Sequence, residues 1–212
     1  MARWLAYHRM LSLSALLLCV TASAEAEFRD ASKEFGFSGG GKAAFVDFDG
    51  DGDVDLYLSN YGRADLANPE GTGAVNQMFL NENGLFQDVT AQSQLGNPGH
   101  SSGSIWADYD HDGDMDMFIS NRNAPRIRFF RNESNNHNSS IQLKLSGNGT
   151  SSNKDAIGAR VQIKINGQTL VQTLRAGEGF LSQSSQYLHF GTGTHKGPFA
   201  VSVNWPDKTN SS

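Results

Sequence analysis

Short apolar segments alternate with turns rich in Asn and Gly through the first two thirds of the chain. Phe45 precedes an acidic segment, Leu56 and Leu58 follow it, and further β-type stretches lie at 79–80 and 86–89. Apolar runs of this length between turn residues favour β-strands. No stretch carries a sustained 3.6-residue apolar period with helix caps. We therefore expect an all-β protein with about four short strands in about 60 residues, the size of one β-propeller blade.

A different pattern begins after a polar boundary at 135–140. Residues 141–145 and 160–165 alternate apolar and polar side chains, as half-buried strands do. Asn166-Gly167 then gives a strong signal for a two-residue hairpin before residues 168–174. We expect residues 25–134 to form two blades of an incomplete propeller and residues 135–212 to form a small β-sandwich-like module.

The blade-like unit occurs twice in the chain. Residues 44–60 are echoed by residues 105–121, with an offset of 61 positions (108 − 47), and 77–81 recurs loosely as 128–132. Repeats of this kind bury their faces against their neighbours. A propeller needs about four to eight blades to close its ring. Two blades therefore predict an open stack, a fragment of a longer protein, or a chain that self-associates.

Each copy concentrates five aspartates in nine residues with the spacing D-x-D-x-D-G-x-x-D. Carboxylates this close repel one another unless a cation neutralises them. Positions 1, 3, 5 and 9 offer carboxylates, position 7 offers a carbonyl, and the glycine at position 6 permits a sharp turn. An oxygen-only set on a flexible loop favours Ca²⁺ over softer metals and over Mg²⁺. The predicted ligands of two Ca²⁺ ions are Asp47, Asp49, Asp51, Asp53 and Asp55, and Asp108, Asp110, Asp112, Asp114 and Asp116.

Asp53 and Asp114 are expected to bind through their carbonyls while their side chains face solvent. The loop is not an EF-hand, because position 12 holds Leu58 or Ile119 instead of a bidentate glutamate. The alternative is a solvated acidic turn without an ion. Two copies in equal register favour the ion, since unneutralised clustered charge is costly.

The first 24 residues have the layout of a secretory signal, with a basic start, an apolar run at 11–20 and a cleavage site at Ala22-Ser23-Ala24. The apolar run is too short to span a bilayer. Cleavage removes Cys19, the only cysteine, so the mature chain has no disulfide. Cleavage also removes two arginines and changes the formal net charge from −5 to −7, which argues against nucleic acid or an anionic membrane as partner.

Other candidate sites carry weaker signals. Residues 99–103 fit the hydrolase pattern G-x-S-x-G, but that elbow requires a following helix, and a strand is expected here. His111 and His189 lack the partners of a zinc site, and we expect His189 to face away from a core. Four arginines form a basic cluster beside the second loop: Arg122, Arg126, Arg128 and Arg131. The default interpretation is a solvated surface, and the more specific alternative is a contact with an acidic polysaccharide. We expect no enzyme activity.

The acidic loops resemble the FG-GAP/VCBS repeat, a family that builds β-propellers around the same calcium loop. The third region resembles the ASPIC/UnbV domain, which commonly follows such repeats, in residues 155–161, 175–185, 188–191 and 203–207. Thr192 and Lys208 depart from the family pattern, which usually has Leu and Gly there. The chain also ends at Ser212, short of the usual end, so we expect a truncated sequence without its closing strand.

The resemblance implies a cartilage-acidic-protein-like or bacterial extracellular protein, without an established chemistry for the third region. We expect a secreted protein, periplasmic if bacterial, that acts as a non-catalytic adhesion or binding module toward an extracellular protein or glycan. Two alternatives stay open. One is a carbohydrate-binding protein that uses loop aromatics, and the other is an accessory fragment of a larger secreted enzyme.

Overall fold

A computed structural model of the chain describes residues 28–37, 41–61, 75–98, 100–122, 124–165, 167–178 and 182–212. The chain divides into the units Met1–Asp30 and Ala31–Ser212, and the elements below belong to the second. The predicted signal segment 1–24 lies outside the described residues. Within the described ranges, no helix has the length and apolar character needed to cross a membrane.

The described elements are nearly all strands, which confirms the all-β prediction. They are β1 (Gly41–Val46), β2 (Asp55–Asn60), β3 (Gln77–Glu82), β4 (Leu85–Asp88), α1 (Thr90–Ser93), β5 (Ser101–Ala107), β6 (Asp116–Asn121), β7 (Ile127–Phe130), β8 (Ser139–Lys144), β9 (Arg160–Ile165), β10 (Gln168–Thr173), β11 (Tyr187–Gly193), β12 (Ala200–Asn204) and β13 (Asn210–Ser211). The one helix in the described ranges is only four residues long.

The two sequence repeats form two separate antiparallel sheets. The first has the strand order β1-β2-β3-β4, and the second has the order β5-β6-β7. The second sheet thus has three strands in the described part of the chain, where four were expected. In the described part of the chain, neither sheet closes on itself.

The two repeat sheets bury a common core between them. Val46, Tyr57 and Met78 contribute from the first sheet, and Trp106, Met117 and Ile119 contribute from the second. Tyr57 and Met78 are fully buried. Each sheet therefore covers a face of the other, as expected for stacked repeats.

The third region forms a module with two sheets of its own. One is the pair β8 and β11, and the other has the order β10-β9-β12-β13. Val161, Ile163 and Val203 from the larger sheet pack with Leu188 and Phe190 from the pair in one core. The predicted hairpin is present, since β9 and β10 pair antiparallel from Ile165 and Gln168 onwards.

Candidate metal centres

The two acidic loops occupy equivalent places in the two repeat sheets. The first joins β1 to β2, and the second joins β5 to β6. Gly52 and Gly113, at position 6 of each loop, have φ angles of +100° and +101°. A residue with a Cβ is strained in this region of backbone space. The glycine therefore sets the turn that wraps each loop upon itself, as the sequence predicted.

Three aspartates converge in each loop. Carboxylate oxygens of Asp47, Asp49 and Asp55 all lie within 4.8 Å of one another, and the same holds for Asp108, Asp110 and Asp116. These residues are positions 1, 3 and 9 of the motif. Each trio could hold a metal ion, because oxygens at such separations can share one cation.

The side chains at positions 5 and 7 of the loops are not part of these trios. At position 5, Asp51 accepts the backbone N–H of Asp53 at 2.8 Å, and Asp112 accepts that of Asp114 at 3.1 Å. At position 7, where the side chain was expected to face solvent, the Asp53 carboxylate accepts the backbone N–H of Asn83 at 3.1 Å in an exposed hydrogen bond. The side chains at position 5 thus shape the loop backbone, whereas Asp53 contacts the turn between β3 and β4.

Position 9 is oriented by a pair of asparagines that the sequence reasoning did not single out as functional. The Asp55 carboxylate accepts the Asn81 backbone N–H at 2.8 Å, and the Asp116 carboxylate accepts the Asn132 backbone N–H at 2.8 Å. Their other oxygens accept backbone N–H groups at position 2 of the same loops. The loose echo of 77–81 in 128–132 was the signal that could have found them.

The environment of the first loop opposes ionisation of its carboxyls. Burial, followed by the negative charges of Asp51 and Asp49, raises the pKa of Asp47 from 3.8 to about 7. Burial and the charge of Asp51 raise the pKa of Asp49 to about 6. Burial raises the pKa of Asp55 to about 8 despite two backbone hydrogen bonds that lower it. Ionised forms are thus costly at neutral pH, and a bound cation would offset that cost.

The second loop has a positive charge of its own. Arg131 Nη2 lies 2.8 Å from Asp110 Oδ2 and 3.4 Å from Asp112 Oδ2. The corresponding residue of the first repeat is Leu80, because Phe79 and Phe130 take equivalent places opposite β2 and β6. The two loops therefore share a ligand pattern but differ in charge balance.

Two carboxylate oxygens of the second loop lack a hydrogen-bond partner. Asp108 Oδ1 and Asp110 Oδ1 are both buried, and no donor reaches either atom in the described part of the chain. Buried acceptors without a donor are unfavourable. Both residues belong to the converging trio, so the donor set fits a bound cation.

The third module rests directly on both loops. The backbone N–H of Gly191 donates to Asp47 Oδ2 at 3.1 Å across 144 sequence positions. In the second loop, the Gln142 amide donates to Asp108 Oδ2. The Gly113 carbonyl lies 2.8 Å from Nε2 of His189 and accepts a hydrogen bond from Ser140 Oγ at 2.7 Å.

His189 faces away from the core of its own module, as expected, yet it is only 7% exposed because it packs on the second loop. Sequence spacing gave no sign of this contact. Both acidic loops therefore form part of the surface on which the third module rests.

The serine of the G-x-S-x-G pattern is held within a strand. Ser101 of the G-x-S-x-G pattern lies on β5, which continues as a strand to Ala107. Its hydroxyl is bonded to the side chains of Asn76, Asn97 and Asn121.

The basic cluster is divided among separate partners. Arg122 Nη1 contacts the Tyr61 hydroxyl at 3.1 Å, Arg128 Nη1 contacts Asn97 at 2.7 Å, and Arg131 contacts the second loop. These partners disperse the cluster. An acidic-polysaccharide contact stays a prediction.

Two families match consecutive parts of the chain. Residues 47–119 match the family described as FG-GAP-like repeat, and residues 149–212 match the family described as ASPIC and UnbV. The chain carries an FG-GAP-like repeat region followed by an ASPIC and UnbV domain. The resemblance in the sequence analysis is thereby confirmed.

One known relative aligns with most of this chain. Cartilage acidic protein 1 from Homo sapiens is 26% identical over 201 residues, which cover 91% of this chain and 29% of the relative. The chain thus spans less than a third of that relative's length.

The FG-GAP-like match includes both acidic loops. The ASPIC and UnbV match begins after β8, although β8 pairs with β11 inside the matched range. The structural module therefore starts upstream of the family match, near the polar boundary at 135–140.

Proposed function

We propose that this chain is a secreted, extracellular, non-catalytic binding or adhesion module that is rigidified by two calcium ions. One observation carries the proposal: in the second loop, the converging trio includes two buried carboxylate oxygens without a protein donor. A cation between the three aspartates would satisfy both atoms. The same trio geometry in the first loop supports a second ion.

Calcium suits this donor set better than the common alternatives. The trios offer carboxylate oxygens only, and neither His nor Cys belongs to either group. Such sets favour hard cations over zinc or copper. Ca²⁺ accepts six to eight oxygens in flexible geometry, so the position-5 carboxylates and position-7 carbonyls of each loop are the further ligands that we propose.

The ion would act as a structural link in this protein. Asp47 and Asp108 each anchor one side of their site, and the same carboxylates accept hydrogen bonds from Gly191 and Gln142 of the third module. Neutralising the loops would therefore stabilise the repeats and the surface on which the third module rests. The non-catalytic assignment is supported by Ser101, whose hydroxyl is held by three asparagine side chains on a continuing strand.

Thermal unfolding with Ca²⁺ or with EDTA tests the proposal. Extracellular sites bind at about 10⁻⁴–10⁻³ M, so about 5 mM Ca²⁺ stabilises by roughly 1–2 kcal/mol for each site. A chain of this size gains about 2–4 °C in Tm for each kcal/mol. Asp108→Asn should remove one site, whereas Glu133→Gln, an exposed acid outside the loops, should remove none. Equal Tm values in Ca²⁺ and EDTA would refute the metal assignment.

A second candidate function is carbohydrate binding, and one cleft favours it. The cleft has a volume of about 630 Å³ and lies between β1, β5, β10 and β11. Phe45 and Tyr187 line it as exposed aromatics. Trp106 Nε1 and Ser104 Oγ are buried beside it, and neither has a hydrogen-bond partner among the residues that the structure describes. Binding on a glycan array that persists in EDTA and is lost in Tyr187→Ala would favour this function over the first.

A further inference from the structure

The strands that line the 630 Å³ cleft all lie at the edges of their sheets. β1 begins the order β1-β2-β3-β4, β5 begins β5-β6-β7, β10 begins β10-β9-β12-β13, and β11 has β8 beside it. Each lining strand thus has a single neighbour in the described part of the chain. An edge strand presents a row of backbone N–H and C=O groups that can pair with another strand.

The spacing of the lining residues shows how each strand is oriented toward the cleft. Side chains alternate between the two faces of a strand, so a strand that offers one face lines a cleft with every second residue. β5 does so with Ser104 and Trp106. β1 lines the cleft with the successive residues 43–46, and β10 does so with 171–173. β1 and β10 therefore present their edges, whereas β5 presents a face.

The edge of β1 is the one that a further strand can extend. The backbone of residues 43–46 pairs with β2, and no other group in the described ranges bonds to it. The edge of β10 is closed against β11, because the side-chain amide of Gln172 donates to the His189 carbonyl. A strand rises by about 3.4 Å per residue, so a partner strand can pair with β1 over about four residues.

The face of β5 adds two buried side-chain groups without a partner. Trp106 is 5% exposed and Ser104 is 6% exposed. Within the described residues, neither Trp106 Nε1 nor Ser104 Oγ has a hydrogen-bond partner. The two residues lie two positions apart on β5 and therefore share a face. Buried polar groups are normally hydrogen-bonded, so the pair points to an acceptor that a ligand supplies.

The indole of Trp106 is held in place by the core of the two repeats. Its ring meets the ring of Tyr57 edge-on at a centroid distance of 5.7 Å. Val46 of β1 and Met117 of β6 belong to the same buried cluster. The position of the indole N–H is therefore set before a ligand binds, and a preorganised donor lowers the entropic cost of binding.

The charges of the lining favour a neutral acceptor over a carboxylate. Asp47 and Glu178 are acids, and Arg175 is a base. A ligand carboxylate therefore gains no net attraction from these three side chains. A carboxamide offers an acceptor oxygen to the Trp106 N–H, and its NH₂ group can donate to Ser104 Oγ. An Asn or Gln side chain of a ligand would thus satisfy both buried groups.

We propose that this cleft binds an extended peptide segment of another protein, which adds a strand to β1 and places an Asn or Gln side chain against Trp106 and Ser104. The proposal rests on the binding-module function above and names its ligand class. In strand addition, main-chain hydrogen bonds provide affinity and pockets for alternate side chains provide specificity. A glycan would reach the two buried groups but would leave the backbone groups of β1 unpaired.

The test is an array of short linear peptides composed of Val, Thr, Asn and Gln, probed with the secreted chain in calcium. We expect binding, with about fivefold weaker affinity when Asp and Glu replace Asn and Gln. Each binder is then N-methylated on alternate backbone nitrogens, in both possible sets. Alternate N–H groups of a strand point to opposite sides, so one set should weaken binding by about tenfold or more, and the other set should weaken it far less.

Two serine variants test the buried groups of the chain itself. Ser104→Ala should weaken peptide binding by about fivefold, since it removes one hydrogen bond, and it should leave Tm unchanged because the hydroxyl has no partner in the described part of the chain. Ser59→Ala is the matched control. Ser59 Oγ is also buried without a partner among the described residues, but Ser59 lies on β2 and does not line the cleft. This variant should keep full affinity.

Three results would overturn the proposal: no peptide binds, both methylated sets bind equally well, or Ser59→Ala weakens binding as much as Ser104→Ala. Binding of a glycan that Ser104→Ala weakens, without binding of any peptide, would assign the cleft to carbohydrate instead. Measuring Tm of the same samples in Ca²⁺ and EDTA keeps the two proposals separate. A Tm that responds to calcium in a chain that binds no peptide refutes the peptide site alone.

Discussion

Gly191 lies at the closest approach of the third module to the first acidic loop. A Cβ at this position would lie 2.1 Å from Asp47 Oδ2 and 2.5 Å from the Gly50 carbonyl carbon. Neither atom is the end of a flexible surface chain, since Asp47 is held by the Gly50 and Gly52 N–H groups at 2.9 and 3.1 Å. Gly191→Ala must therefore displace either the acidic loop or β11.

The size of the effect follows from the chemistry of overpacking. Inserting a methyl group into a closed contact costs about 1–3 kcal/mol, which corresponds to a decrease in Tm of about 2–12 °C for a chain of this size. Because Asp47 is position 1 of the first loop, we also expect the affinity of one calcium site to decrease by about tenfold, or about 1.4 kcal/mol. The second site should be unchanged.

Calorimetric titration with Ca²⁺, together with thermal unfolding, separates the two effects. Gly147→Ala is the matched control, since its Cβ would lie 2.0 Å from the Asn153 carbonyl oxygen, inside the third module. We expect this variant to lose stability and to keep two normal sites. If Gly191→Ala also keeps two normal sites, the third module does not constrain the metal loop and the docking argument is wrong.

Three further predictions follow from the charges of the two loops and from the leader. Arg131→Leu replaces Arg131 with the residue type that the first repeat has at the equivalent position, Leu80. The calcium affinity of the second loop should rise roughly fivefold, because a competing positive charge is removed. Calcium titration at low and high salt can check this. Without calcium, the free energy of unfolding should decrease as pH rises from about 4 to about 8, because the pKa values of Asp47, Asp49 and Asp55 are raised to about 7, 6 and 8 in the folded state. Chemical denaturation in EDTA across this pH range measures the decrease. The decrease should be absent in saturating Ca²⁺. N-terminal sequencing of secreted chain should yield Glu-Ala-Glu-Phe, and a mature protein that begins at Met1 would contradict the signal assignment.

The sequence alone determined the features that depend on neighbouring residues. The spacing of the aspartates with Gly52 and Gly113 predicted two equivalent turns, and both glycines have nearly the same φ angle. Alternating apolar residues predicted strands such as β9, whose buried side chains alternate as expected. These predictions succeed because turn conformation and strand facing depend on interactions over a few residues.

The tertiary structure decided which groups surround those loops. Gly191, Gln142 and His189 reach the acidic turns across long stretches of chain, and nothing in their local spacing marks them. The convergence of positions 1, 3 and 9, and the counter-charge of Arg131 on one loop only, likewise depend on packing. A sequence pattern shows which face of a strand is buried. The element that packs on that face depends on the shape complementarity of whole sheets, which involves residues far apart in the sequence.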